Sequence, residues 1–215
     1  MKKRSGKTVR TGGRARKRTS GSKRGPEDAF NCVFLVGFMG AGKTSIGQAL
    51  GALLNWEFED LDDRIERREG QSVSEIFRDF GEEKFRETER TALKQLLNEL
   101  QGAAKVIALG GGAFVQQENA LLLERTGMPT VFLDAPVEEL WRRCSEQARA
   151  LGETRPLVSD FEQFRKRYEN RRQRYAKASV TIQTGNRPVE KIAAEIVESL
   201  GLKKIAMRVE QGEAE

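Results

Sequence analysis

Histidine is absent from this chain of 215 residues. Because histidine is the commonest general base near neutral pH and the commonest metal ligand, its absence excludes histidine-based catalytic triads and histidine-coordinated metal sites. Any catalysis must therefore rely on carboxylates, lysine, arginine, hydroxyls or backbone groups.

Cysteine is also scarce, and long apolar runs are missing. Cys32 falls in an apolar, strand-like run and Cys144 in a helix-like run, far apart and without CxxC spacing. This pattern predicts two buried thiols in a reducing compartment rather than a disulfide framework. No apolar run approaches the ~18 residues of a membrane helix, and no apolar segment near the start indicates a secretory signal. We therefore expect a cytoplasmic, monomeric protein of one domain with tails.

Positive charge is concentrated at the start of the chain. Residues 1–25 contain eleven Lys or Arg and no Asp or Glu, whereas the rest has 27 basic and 32 acidic residues, a balance of −5. With three apolar side chains, an arm over 1–26 is expected to be disordered. It is a solvated extension or an early start codon, an arm for nucleic acid or another anionic surface, or a transit peptide. We do not expect nucleic acid to be the main partner.

Apolar strand patterns alternate with amphipathic helix patterns from about residue 27 to 203. The strand patterns are NCVFLVG, WEFED, KVIAL, TVFLD and SVTIQT. This alternation predicts a doubly wound α/β domain with a mostly parallel sheet, followed by a loose tail over 204–215. Ser72 and Glu75 form a capping-box pattern, which predicts a helix start.

A phosphate-binding motif, GFMGAGKT over residues 37–44, fits G-x-x-x-x-G-K-[ST] in full. It follows an apolar strand and precedes a helix, as the motif requires. Its glycines let backbone N–H groups wrap a polyphosphate, Lys43 reaches the β- and γ-phosphates, and the Thr44 hydroxyl ligates Mg²⁺. The motif therefore predicts binding of a nucleoside triphosphate without identifying the acceptor. The nucleotide-binding residues expected here are Gly40, Ala41, Gly42, Lys43, Thr44 and Ser45.

Acidic residues cluster at the end of the second strand, in EFEDLDD. Magnesium bound to a nucleotide usually needs a carboxylate near the motif, and ligands of such sheets bind at the carboxyl ends of strands. Strand three ends without an acid, and Asp134 after strand four is expected to cap the next helix. Asp60 is therefore the expected metal-side acid and Asp62 faces the same cavity, whereas Asp63 favours the helix dipole.

Five motifs taken together resemble the shikimate kinases over about residues 31–201. They are GxxGxGKT, F-x-D-x-D-x-x-I-E, FRETE, GGGA and RPL, in this order. The resemblance implies a nucleoside-monophosphate-kinase-like fold with a parallel sheet of order 2-3-1-4-5. It also implies transfer of the γ-phosphate of ATP, with Mg²⁺, to the 3-hydroxyl of shikimate, a step towards chorismate and the aromatic amino acids.

The same resemblance implies an acceptor site. Arg86 and Arg171 would bind the carboxylate of shikimate, Gly111 would approach it through the backbone, and Asp62 would bind the hydroxyl as the candidate base. A guanidinium group can donate two parallel hydrogen bonds to a carboxylate, which lysine cannot. The segment over about 62–92 is expected to move during substrate loading.

Three further arginines are implied on the ATP side. Arg155 would lie in a lid over about 145–158 and act with Lys43 on the transferring phosphoryl group. Arg143 and Arg187 would pack near the adenine.

Two alternatives remain open. One is a kinase of the same fold with another acceptor, such as gluconate or a nucleotide; Arg86, Arg171 and Asp62 argue against the nucleotide. The other is a non-catalytic nucleotide-binding protein with a nucleic-acid-binding arm, which the retained catalytic set disfavours.

Overall fold

The computed structural model describes residues 30–100, 102, 104–151 and 160–202. Within this part the chain forms five strands and seven α-helices, with a short 3₁₀ helix at Ala113–Val115. The strands are β1 (Cys32–Val36), β2 (Glu57–Asp60), β3 (Lys105–Ala108), β4 (Thr130–Asp134) and β5 (Val180–Gln183). The helices are α1 (Lys43–Leu54), α2 (Leu61–Glu69), α3 (Val73–Glu99), α4 (Gln117–Thr126), α5 (Val137–Leu151), α6 (Phe161–Tyr175) and α7 (Val189–Ser199).

The five strands form one parallel sheet in the order β2-β3-β1-β4-β5. All five residues of β1 and all five of β4 are buried, which explains their continuous apolar sequence, since helices cover both faces of the sheet. The predicted fold class and the sheet order are therefore confirmed. Because all strands run the same way, their carboxyl ends meet at one edge, where the functional side chains gather.

Helix boundaries follow the predicted capping chemistry. Ser72 accepts a hydrogen bond from the Glu75 backbone N–H while the Glu75 carboxylate accepts one from the Ser72 N–H, so the capping box is confirmed. Gly81 (φ 81°, ψ 176°) interrupts α3 and separates the two helices predicted there. The expected capping role of Asp134 is wrong: α5 begins at Val137, and the Asp134 carboxylate bonds to side chains of α6 instead.

Cys32 and Cys144 are buried, as predicted, and burial raises the pKa of the Cys32 thiol to about 12. Helix α5 continues to Leu151, so the first part of the expected lid is helical; Arg155, the arm over 1–26 and the tail over 204–215 lie outside the described residues. Across the described ranges, no helix combines the length and apolar character needed to cross a membrane.

Candidate active site

The phosphate-binding loop has the backbone geometry that its glycines allow. Gly40 (φ 78°) and Gly42 (φ 89°) adopt left-handed conformations, which side chains disfavour. A Cβ on Gly40 would lie 2.7 Å from the Leu140 carbonyl oxygen, so this turn also packs directly on α5. The loop then passes into α1 at Lys43, and the N-terminal N–H groups of a helix favour a bound anion such as phosphate.

Lys43, the first residue of α1, folds back over the loop. Its ammonium group donates to the carbonyl oxygens of Gly37 and Phe38, both at 3.2 Å. Burial lowers the pKa of Lys43, while the nearby carboxylates of Asp62 and Asp60 oppose that shift. Bound phosphates would offer this buried cation a stronger partner than two carbonyls do.

Asp60 joins the loop to α2. Its Oδ2 accepts a hydrogen bond from Thr44 Oγ1 at 3.1 Å, and its Oδ1 caps α2 by accepting from the Asp62 N–H at 3.0 Å. Burial raises the pKa of the Asp60 carboxyl. The adjacent hydroxyl and carboxylate oxygens are the donors that Mg²⁺ prefers, so these residues fit the ion. Among the described residues, no group of three or more His, Cys, Asp or Glu forms a self-sufficient metal site, so phosphate oxygens and water would complete the shell.

Asp62 presents its carboxylate at the carboxyl end of β3. A Cβ on Gly110 would lie 2.5 Å from Asp62 Oδ1, so only glycine leaves this side chain in place. Asp62 Oδ1 is buried and has no hydrogen-bond partner among the described residues. Burial, and then the charge of Asp60, raise the pKa of Asp62 to about 6, against the attraction of Lys43. A carboxylate of this kind can accept a proton from a bound hydroxyl near neutral pH.

The glycine triplet brings together the residues predicted to bind the acceptor. A Cβ on Gly112 would lie 2.3 Å from a terminal nitrogen of Arg86. The carbonyl oxygen of Gly111 accepts a hydrogen bond from Arg171 Nη1 at 3.2 Å and another from the Tyr175 hydroxyl. Together with Asp62 beside Gly110, the triplet is thus lined by one carboxylate and two guanidinium groups.

Arg86 is held by two acids on its own helix. Its guanidinium lies 3.0 Å from the Glu89 carboxylate and 3.1 Å from that of Glu82, and 5.1 Å from the Phe85 ring centre. Glu89 is fully buried, and burial raises its pKa to about 7 although Arg86 opposes this. Sequence reasoning missed Glu89, yet its spacing of three residues from Arg86 on a helix was the available signal.

Arg171 is held differently. Its guanidinium carbon lies 5.7 Å from the ring centre of Phe38, a residue of the phosphate-binding loop. In the part of the chain that the structure describes, Arg171 has no acidic partner within ion-pair distance. Its charge is therefore available to an acceptor's carboxylate.

The two arginines expected near the adenine both lie beside the carboxyl end of β5, and Arg143 also contacts the phosphate-binding loop. Arg143 donates to the carbonyl oxygens of Gly40 (3.2 Å) and Thr184 (2.9 Å), so it bridges the loop and the end of β5. Arg187 donates to the Gln183 carbonyl oxygen at 2.7 Å and pairs with an acid of α7. In this structure both guanidinium groups are already hydrogen-bonded to other residues of the protein.

Comparisons with known proteins agree with this arrangement. A family model for shikimate kinase matches residues 39–201. A shikimate kinase of Cereibacter sphaeroides is 36% identical over 182 residues, which cover 83% of this chain and 87% of the relative. A bifunctional shikimate kinase/3-dehydroquinate synthase of Thermotoga maritima is 39% identical over 175 residues, but the match covers 81% of this chain and only 33% of that protein.

A solved structure has the same fold. Shikimate kinase from Acinetobacter baumannii, in complex with shikimate, superposes with a TM-score of 0.71 and 33% identity, covering 81% of this chain and 94% of that chain. The family match extends over most of the described domain, from within the phosphate-binding loop to the end of α7. The chain therefore belongs to the shikimate kinase family.

Proposed function

We propose that this protein transfers the γ-phosphate of ATP to the 3-hydroxyl of shikimate, giving shikimate 3-phosphate and ADP. The observation that carries the proposal is the buried, unpartnered Oδ1 of Asp62 on the glycine triplet that also contacts Arg86 and Arg171. The glycine triplet thus carries a carboxylate oxygen that can accept a hydrogen bond from a substrate hydroxyl, and two guanidinium groups that can bind a substrate carboxylate. The phosphate-binding loop lies beside it.

The acceptor class follows from that wall. A carboxylate needs a cation, and an arginine can bind it with two parallel hydrogen bonds. A hydroxyl needs an acceptor, which Asp62 provides within reach of Lys43. A small hydroxy acid satisfies both requirements, whereas a nucleotide would need a pocket for its base. Gly111 supplies the close backbone approach.

Phosphoryl transfer depends on positioning and on neutralising charge. The acceptor oxygen forms a bond to the γ-phosphorus while the bond from that phosphorus to the bridging oxygen of ADP breaks. The hydroxyl proton passes to Asp62. Lys43 would exchange its two carbonyl partners for phosphate oxygens.

Magnesium would be held by Thr44 and Asp60, and it supplies charge neutralisation to the phosphates when bound. Arg155 would place positive charge beside the transferring phosphoryl group. Arg143, between the phosphate-binding loop and the end of β5, would contact the nucleotide. Arg187 would lie next to the nucleotide. The nucleotide-binding backbone would come from Gly40, Ala41, Gly42, Lys43, Thr44 and Ser45.

An ADP-release assay with a panel of acceptors tests the proposal. Purified protein with ATP and Mg²⁺ is given shikimate, quinate, gluconate or a nucleoside monophosphate. We expect rapid ADP release only with shikimate, and a background rate with the others. A higher kcat/KM for gluconate would support the alternative kinase, and no acceptor-dependent release with any compound would support a non-catalytic protein.

A further inference from the structure

Asp134, at the carboxyl end of β4, is a buried carboxylate that the proposed reaction does not use. Its side chain is 3% exposed. Oδ1 accepts a hydrogen bond from the Tyr168 hydroxyl at 2.6 Å, and Oδ2 accepts from Arg172 Nη2 at 2.8 Å and Nε at 3.2 Å. Burying a carboxylate costs free energy unless its oxygens accept hydrogen bonds. The hydrogen bonds from Tyr168 and Arg172 meet this need and connect the sheet to α6.

Among the described residues, two sets of side-chain hydrogen bonds connect α6 to the carboxyl edge of the sheet. Tyr168 and Arg172, one turn apart, bond to Asp134. Arg171 and Tyr175, also one turn apart, bond to the carbonyl oxygen of Gly111. Residues three and four apart share a helix face, so the attachment to β4 and the attachment to the glycine triplet adjoin each other on α6. Arg171 lies between the two tyrosines.

The Phe38 ring contacts both Tyr168 and Arg171. The Phe38 ring lies 5.7 Å from the Tyr168 ring, at an interplanar angle of 69°, and Arg171 lies over the same Phe38 ring. A shift of Tyr168 would therefore change the surface on which the Arg171 guanidinium rests.

The two acceptor-site arginines differ in what holds them. Arg86 has Glu82 and Glu89 on its own helix, so its position is set locally. Arg171 contacts one carbonyl oxygen, one ring and the Tyr175 hydroxyl of its own helix, and no carboxylate within ion-pair distance among the described residues. The position of its guanidinium consequently depends on where α6 lies, and Asp134 is the polar anchor of α6 on the neighbouring strand.

We propose that Asp134, acting through Tyr168 and Arg172, is a positioning residue for the acceptor site: it fixes α6 so that Arg171 meets the acceptor's carboxylate. This inference rests on the proposed function, because it takes Arg171 to bind that carboxylate. Asp134 itself touches neither substrate nor phosphate. We expect the larger effect on the acceptor, because the carboxylate of Asp134 bonds to side chains of α6, whereas Tyr168 meets the phosphate-binding loop through ring packing on Phe38, which Tyr168→Phe retains.

The experiment compares Tyr168→Phe and Asp134→Asn with wild type, each with and without Arg171→Ala. Tyr168→Phe removes one hydroxyl and keeps the ring on Phe38. Arg165→Gln is the matched control, because this exposed arginine of α6 pairs with Glu162 and lies over the Phe161 ring rather than contacting Asp134. Calorimetric titration gives the Kd of shikimate and of ATP for each variant, and the thermal unfolding midpoint shows that each is folded.

We expect the shikimate Kd to rise roughly three- to thirtyfold in Tyr168→Phe and Asp134→Asn, a change within the range of coupling between contacting residues. The ATP Kd and the control should stay within about twofold of wild type. In the Arg171→Ala background the added loss should be under about twofold, because there is no guanidinium left to position.

Three outcomes would overturn the inference: unchanged shikimate affinity in the folded variants, equal weakening of shikimate and ATP, or an undiminished effect in Arg171→Ala. If Asp134→Asn does not fold, Tyr168→Phe and Arg172→Gln take its place. Arg172→Gln changes a half-exposed side chain, and the same shikimate and ATP titrations test it. A wild-type protein that does not bind shikimate would instead refute the proposed function, so the two failures are distinguishable.

Discussion

Asp62 is the residue at which the smallest chemical change should have the largest effect on turnover. Asp62→Asn keeps the size of the side chain but removes its capacity to accept a proton. We expect kcat to fall by roughly 10²–10⁴-fold, the usual contribution of a general base. The Kd of ATP, measured by calorimetry, should remain within about twofold, because Asp62 faces the acceptor side. Loss of ATP binding comparable to that of Lys43→Met would contradict the assignment.

The pKa of Asp62 also predicts a pH dependence. Burial and Asp60 raise that pKa to about 6, so the carboxyl is protonated below this pH and cannot accept the hydroxyl proton. The kcat/KM for shikimate, at saturating magnesium and ATP, should therefore rise with pH through about 6 and then level off.

The matching control is the Kd of shikimate over the same pH range, because Glu89, with a pKa of about 7, adjoins Arg86. If kcat/KM is flat from about pH 5 to 8 while binding is unchanged, Asp62 only orients the hydroxyl.

At the scale of elements, α3 and α6 each deliver one arginine to the glycine triplet after β3. Truncating one partner of a buried charge contact costs ~2–5 kcal/mol. Arg86→Ala and Arg171→Ala should each raise the shikimate Kd by roughly one and a half to three and a half decades. Calorimetry should find ATP binding little changed, and the double variant should lose less than the sum of the two losses, because both side chains act on one carboxylate.

Arg86→Lys and Arg171→Lys provide the matched comparison. They should restore only part of the affinity, since an ammonium group lacks the planar fork. If either alanine variant binds shikimate as wild type does, that arginine does not contact the acceptor.

Much of this element-level arrangement was predictable, and the reasons are physical. Apolar runs buried on both faces specify strands of a parallel sheet, and the phosphate-binding loop has a fixed strand-loop-helix context, so both follow from local sequence. Asp134 was mispredicted because its partners, Tyr168 and Arg172, lie more than thirty residues away in the chain. Local capping preference carries no information about such a contact.

At the scale of the whole molecule, we expect the basic arm over 1–26 to be dispensable for catalysis. It has almost no apolar side chains with which to pack on the domain. Deleting residues 1–25 should leave kcat/KM for shikimate unchanged within about twofold, ~0.4 kcal/mol in transition-state terms. Steady-state kinetics of the truncated and full-length chains, matched for concentration, provide the measurement. A tenfold loss would mean that the arm contacts the active site or holds an oligomer together.

The central claim is that this site transfers the γ-phosphate of ATP to the 3-hydroxyl of shikimate. Its most direct test is identification of the product by ¹H–³¹P correlation NMR after incubation of the protein with shikimate, ATP and Mg²⁺, with Asp62→Asn as the paired control. We predict one equivalent of ADP per phosphoester formed, with phosphorus coupled to the proton on carbon 3, and product formation by Asp62→Asn that is at least about a hundredfold slower. Phosphate on another carbon, ADP released without a phosphoester, or equal product from both proteins would contradict the account.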